Sequence, residues 1–386
     1  MKFIPVASDF MSESEIAEIV EKNRARLAAK GYEEIDETQR FAAERLAYFV
    51  LTGGTEKQVL QYEISRDDDQ EVVLIANSQN NSLAACMEIL ARLNQLGKFG
   101  RIDMFGVDEL PQIKNTQENL SLDLDSARIG VIGNPSDWLV ASSHGADLVK
   151  EKCNADLIEI SMNEFIGLFL SQQQSDPKII EDLRQRAGKI AEPDQQDLEK
   201  NVKVYLVLQN LIEHYKLDAL TIRCFDLVKA LQTTGCFALS KLNDEGIIAG
   251  CEGDITAVLA MLWSYRKSGK IPWMANPSGI DLKENSLALA HCTVPRTLVD
   301  SYDLRSHFES GLGVGIQGFF PTGIKVNLLR IGGEELDKIW QAEGELIATG
   351  CDEKLCRTQI KVKLLNKNVS ELLQNPLGNH LVLELI

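Results

Sequence analysis

Cys251-Glu252-Gly253-Asp254 places two carboxylates between an apolar run and an apolar helix-like stretch, and Asn276, His291-Cys292 and Gly378-Asn379-His380 follow at long range. Carboxylate and imidazole together make a ligand set for a divalent metal that handles vicinal hydroxyls such as those of a sugar. Only folding can bring the late histidines to Glu252. Each residue also has a plainer role. Glu252 and Asp254 stand where a helix begins, and a carboxylate there caps free N–H groups and meets the helix dipole. One cap suffices, which leaves Glu252 free at the carboxyl end of a strand, where α/β proteins bind ligands. His291 ends an apolar strand, a common place for a structural histidine. His380 lies in a Pro376-Leu377-Gly378-Asn379-His380 turn that presents an imidazole to a metal or to solvent. His144, in Ser142-Ser143-His144-Gly145, falls in a predicted helix and reads as helix surface or a weak substrate contact.

The elements that must position these groups form three stretches. In the first, residues 1–125, a strand is expected at 2–6, helices at 12–30 and 37–51, and then a βαβ unit at 71–76, 82–96 and 101–105. The polar stretch 111–126 reads as a linker. The second, residues 126–250, restarts the pattern with strands at 128–133, 155–160 and 219–223 and a helix at 138–152. Strands alternating with helices argue for two Rossmann-like, parallel-sheet α/β domains in series. The third, residues 251–386, opens with a helix over 254–267 and continues in short glycine-punctuated strands, which predicts a β-rich, mostly antiparallel, barrel-like domain carrying most of the site. Gly313, Gly315 and Gly318 match a dinucleotide fingerprint in spacing only: no strand precedes them and no helix follows, so they read as a tight loop.

Composition narrows the function classes. The chain has 386 residues, 40 basic against 57 acidic side chains and a formal charge of -17, a surface that repels phosphate backbones and argues against nucleic acid. No run is long enough for a membrane span and the first residues do not form a signal peptide, so a cytoplasmic protein is expected. The 8 cysteines are scattered without a CxxC pair and read as reduced, mostly buried thiols.

Gly250-Cys251-Glu252-Gly253-Asp254, the helix to Trp263 and Gly269-Lys270-Ile271-Pro272-Trp273-Met274-Ala275-Asn276 resemble the catalytic segment of the L-fucose isomerase and L-arabinose isomerase family. Leu289–Thr293, Ser306–Ser310 and Gly378–His380 resemble its downstream blocks, so recognisable motifs run from about residue 215 onward. The resemblance implies a metal-dependent aldose–ketose isomerase working through an enediol on a small sugar or polyol. It implies Mn2+ or another divalent cation held by Glu252, Asn276 and His380, with Glu252 as a catalytic carboxylate and His291 and Cys292 beside the substrate. With Asn276 in place of the second carboxylate, Asp254 or a metal-bound water would take the other proton step. Asn276 stands where the family has an aspartate; an amide can ligate but cannot act as a base. A lyase or epimerase of sugars or sugar acids, or a sugar-binding protein without turnover, are the alternatives on the same scaffold. The family further implies a homo-oligomer, a trimer or hexamer, whose site lies between the second and third domains and is closed by a neighbour's first domain.

Overall fold

Short, unbroken apolar runs become the central strands of this chain, because a parallel strand is covered on both faces and shows no alternation. The computed structural model describes every residue except 10, 43–44, 65–69, 106–109, 112–115 and 173–174. Its first sheet uses β1 (Lys2–Val6), β2 (Glu33–Glu34), β3 (Leu46–Val50), β4 (Val72–Ala76) and β5 (Gly100–Met104), interleaved with α1 (Glu13–Ala29), α2 (Glu56–Ile64) and α3 (Ser82–Gln95). All pairs are parallel, in the order β2-β1-β3-β4-β5. Ser12 and Glu15 form a capping box that starts α1 where expected. The helix expected over 37–51 does not form: a 3-10 turn covers Glu37–Ala42, residues 43–44 lie outside the described residues, and β3 follows. Leu46-Ala47-Tyr48-Phe49-Val50 is buried throughout, so tertiary burial overrides the helical periodicity.

The linker stretch is tied down where it is described, since β6 (Glu118–Asn119) pairs with the C-terminal sheet; residues 112–115 lie outside the described residues. A second parallel sheet follows, built from β7 (Ala127–Ile132), β8 (Ala155–Ile160), β9 (Ala219–Ile222) and β10 (Ile248–Cys251) in the order β10-β9-β7-β8. Its helices are α4 (Ala146–Cys153), α5 (Met162–Ser171), α6 (Pro177–Arg186), α7 (Gln195–Tyr215), α8 (Cys224–Leu231) and α9 (Cys236–Asp244). Counted from its own first strand, this is the same 2-1-3-4 order as in the first sheet. Both therefore follow the flavodoxin-like doubly wound order rather than the Rossmann order 3-2-1-4. The helix expected from Trp138 begins only at Ala146, after Gly145.

After α10 (Ile255–Ser268), six strands close on themselves: β15 (Lys325–Gly332), β18 (Leu381–Leu385), β11 (Trp273–Asp281), β12 (Ser286–His291), β17 (Thr358–Leu364) and β16 (Lys338–Gly350), with β16 returning to β15. Every pairing is antiparallel, so the expected β-rich unit is a closed barrel, and closure removes its sheet edges. A hairpin of β13 (Ser301–Arg305) and β14 (Gly315–Phe319) and the short α11 (Glu371–Gln374) flank it. Gly315 and Gly318 lie within β14, and Gly318 lets Val294 and Val299 pack against its backbone, so the glycine triplet serves close packing.

The barrel interior holds Trp273, Trp340, Leu287, Val326, Leu346 and Val362 in one apolar cluster with the α2–α3 side of the first sheet. The outer barrel residues Met274, Leu329, Ile331 and Val382 instead join α10 and the second sheet. All three sheets thus meet at one junction. Gly344 on β16 marks how tightly the barrel is filled: an added Cβ would run into Val362 Cγ1 and lie 3.1 Å from the Lys363 carbonyl. Gly344→Ala should therefore lower stability by about 1–3 kcal/mol through overpacking, seen as a lower denaturant midpoint at unchanged slope.

Candidate active site

The carboxyl end of β10 turns sharply into α10. Glu252 and Gly253 both take left-handed backbone conformations, with φ of 63° and 74°. For a non-glycine residue this costs on the order of 1–2 kcal/mol, and neighbours hold it in place. The Ser136 N–H donates to the Glu252 carbonyl at 3.0 Å, and the Gly253 N–H donates to the Ile222 carbonyl at 3.0 Å. A Cβ on Gly253 would lie 2.8 Å from Pro135 Cα, so only glycine lets the loop after β7 approach this closely. From that loop Trp138 donates its indole N–H to Glu252 Oε2 at 2.5 Å. Strain concentrated at one partly exposed carboxylate points to function.

Asp254 caps α10 by accepting the Ala257 N–H at Oδ1, 2.7 Å away. Its Oδ2 lies 2.8 Å from His380 Nδ1 and accepts from Arg330 Nη1 at 3.3 Å. Asp254 is fully buried and both oxygens are engaged, so it has no face for substrate. The expectation of a cap is met, and the second carboxylate oxygen orients His380. His380, also fully buried, aims Nε2 at Glu252 Oε1, 3.6 Å away, and that nitrogen has no hydrogen-bond partner. His291, at the end of β12, uses Nδ1 on Thr293 Oγ1 at 2.8 Å and sets its ring 5.5 Å from that of His380.

Glu252, His291 and His380 each present one ligand atom, and the three atoms lie within 4.8 Å of one another. The unpartnered His380 Nε2 and the donor types fit a divalent cation, and an Asp254–His380 pair behind it is the usual carboxylate–imidazole support of a metal ligand. Asn276 is near in register: β11 and β18 pair up to Ala275 opposite Leu381, so Asn276 and His380 are the next residues outward. The Asn276 Oδ1 is buried without a partner. Cys292 points elsewhere, packing with Cys236, Leu355 and Cys356, its sulfur accepting the Arg357 N–H at 3.4 Å.

The electrostatics are those of alternating charges in a poorly solvated space. Burial raises Glu252, but the charge of His380, with that of His291 and the Trp138 hydrogen bond, holds it below the usual carboxylate range. Its side chain remains 13% exposed. Burial likewise opposes ionisation of Asp254, yet Arg330 and His380 bring it down to about 2. Burial disfavours the His380 cation, but Glu252 and Asp254 raise it to about 9. His291, buried and beside that cation, falls to about 4 and is neutral at pH 7.

Four contributors escaped the sequence reading. Arg330, 1% exposed, also donates to the His380 carbonyl at 3.1 Å and to Ser142 Oγ. Gly378 is required above it, since a Cβ there would meet the guanidinium. Glu88 of α3 accepts from the Ala141 N–H at 2.8 Å, Ser142 Oγ at 2.8 Å and the Asn379 N–H at 3.0 Å, joining the first unit to both others. Glu56, at the start of α2, is buried with an unpartnered Oε2; burial, then the charges of Glu88 and Glu252, push it well above the usual range. Trp138 is the fourth. A lone Glu88 inside Leu83–Ala91 and a lone Arg330 inside Leu328–Ile331 were the available signals: single charges in buried apolar runs. His144, expected on a helix surface, instead bridges Thr256 Oγ1 and the Gly333 carbonyl, both at 3.1 Å, and is structural.

No family model matches the chain. It is 23% identical over 173 residues to the sulfoquinovose isomerase of Priestia aryabhattai, a match covering 44% of this chain and 38% of that protein. It is 32% identical over 87 residues to the sulfoquinovose isomerase of Alkalicoccus urumqiensis, covering 22% of this chain and 20% of that one. The matches thus span between a fifth and two fifths of these relatives' lengths. The likeness is to sugar isomerases in general and does not single out L-fucose isomerase. A solved D-threo-3-hydroxyaspartate dehydratase from Delftia sp. HT23 aligns with 94% of this chain and 79% of that chain at a TM-score of 0.14 and 12% identity, too weak to carry an argument. Among the described residues no helix is long and apolar enough to cross a membrane.

Two outcomes follow for the metal-free protein. Folding raises His380 from 6.5 to about 9, so its contribution is complete below pH 6.5 and lost as pH rises through 9. Folding lowers His291 from 6.5 to about 4 and Asp254 from 3.8 to about 2, so their contributions fade as pH falls through those ranges. Stability should peak near pH 6.5, and His380→Gln should abolish the alkaline slope in chemical denaturation. Arg330→Met leaves the Asp254 and Glu88 carboxylates buried without their cation and should cost about 3–5 kcal/mol, read as a lowered unfolding midpoint.

Proposed function

We propose that this chain is a metal-dependent aldose–ketose isomerase, moving a proton between C1 and C2 of an open-chain sugar through an enediol. One observation carries the reading: a strained, partly exposed Glu252 faces two imidazoles, one backed by Asp254 and aiming an unpartnered Nε2 at it. The partial likeness to sulfoquinovose isomerases supports the substrate class, a small sugar.

Glu252, His291 and His380 would hold the ion, with the Asn276 amide oxygen as a further donor. Here His291 takes the third place that the family resemblance gave to Asn276. Mn2+ suits a carboxylate–imidazole set, and a bound divalent ion supplies Lewis acidity toward a carbonyl oxygen. Glu252 removes the proton from C2 and returns it to C1, while the hydroxyl proton passes from O2 to O1. Its low proton affinity keeps it ionised and ready at neutral pH. Neutral His291 keeps a nitrogen lone pair available. Asp254 fixes the His380 ring so that Nε2, not Nδ1, meets the site. Trp138 locks one Glu252 oxygen and leaves the other toward the imidazoles. A single carboxylate working from one face suits a shift between adjacent carbons, whereas a two-base epimerase needs a second group opposite.

The test is proton exchange. With Mn2+ and an aldose panel that includes sulfoquinovose, the protein should form ketose and incorporate solvent deuterium at C1, followed by NMR. Glu252→Gln should reduce turnover and exchange together by about 10²–10⁴-fold; exchange that persists in that variant removes Glu252 as the base. Asp254→Asn should weaken Mn2+ binding by about 10–100-fold, measured by equilibrium dialysis with elemental analysis.

A further inference from the structure

The far ends of α10 and β18 enclose a cleft of about 430 Å³ on the outer wall of the barrel. The barrel's register sets Glu343, Asn327 and Glu384 in one cross-strand row beneath it. Glu384, 8% exposed, is held rigid: Oε2 accepts from Ser264 Oγ at 2.6 Å and Ser268 Oγ at 2.9 Å, and Oε1 accepts from Asn327 Nδ2 at 3.0 Å. Trp263 adds a half-buried indole, with Lys267 Nζ 4.6 Å from its ring centroid. The Gln341 side-chain amide also lines the cleft. Asn366 accepts the Glu343 N–H at 2.8 Å, which leaves its amide N–H groups to donate elsewhere.

We infer that this cleft is a second site, for a neutral polyhydroxyl ligand such as a sugar or polyol. Amide and hydroxyl side chains each offer donor and acceptor, matching the paired capacity of hydroxyl groups. An indole flank matches the C–H face of a sugar ring. The charges decide against an anion: Glu118, Glu343 and Glu384 outnumber Lys267 and Lys367. The volume lies within the range of small-ligand pockets. The site stands apart from Glu252, at the other ends of the helix and strand that begin beside Asp254 and His380. It does not depend on the isomerase reading.

D-glucose and D-sorbitol are the probes, titrated into the full chain treated with chelator and followed by saturation-transfer NMR and tryptophan fluorescence. Saturable binding in the millimolar range is expected. Trp263→Ala and the surface change Gln341→Leu should each weaken it by about tenfold or more, while His291→Ala leaves it unchanged. Circular dichroism checks that the variants fold, and Gln341→Leu, which removes no core group, decides if Trp263→Ala does not. Binding that survives Gln341→Leu and disappears in His291→Ala places the sugar at the Glu252 site and overturns the proposal. The absence of saturable binding overturns it as well.

Discussion

The hydrogen bond between Asp254 and His380 is the contact on which the rest of this structure turns. It joins the residue that caps a helix on the second sheet to the residue just before a strand of the barrel, both fully buried. Two ionised groups in such a place are stable only if each finds further partners. Arg330 and the α10 N-terminus complete Asp254; Glu252 stands opposite the outer nitrogen of His380. Each neighbour is then fixed in turn: Ser142 and Glu88 follow from Arg330, and Gly378 from the space its guanidinium fills.

Packing explains why this polar cluster sits where it does. The barrel lumen is filled with Trp273, Trp340 and aliphatic side chains, and both parallel sheets have apolar cores of their own. Polar chemistry is therefore left to the seam, at the carboxyl ends of parallel strands and the rim of the barrel. Glu252 carries backbone strain there that the loop after β7 supports through Ser136 and Trp138, and Gly253 gives Pro135 room to approach.

Much of the fold could be read from the chain, because runs such as Val72–Ala76 and Ala127–Ile132 alternate with amphipathic helices and the texture changes near residue 250. Strand 46–50 could not, since no glycine or proline separates it from the helix-like stretch 37–45 and the two read as one amphipathic helix. Nor could the strand order within each sheet, which depends on crossovers rather than on local pattern. Glu252 and His380 were found through their motif. Asp254 was located at its capping position, but spacing could not reveal the use that Arg330 and His380 make of its remaining oxygen. Arg330 and Glu88 were hidden because a single charge in an apolar run looks like an irregularity until its partner, more than fifty residues away, is seen.

The Glu88 carboxylate has a wider consequence. It belongs to α3, packed on the first sheet, yet it receives N–H groups from the loop after β7 and from Asn379, next to His380. The three sheets are thus pinned through one side chain adjoining the candidate site. Such a cluster is a joint as well as a candidate active site. Its geometry is a running measure of alignment between the three sheets, so damage remote from the chemistry, in the packing of α3 for instance, is felt first as misdirected imidazole and only later as unfolding.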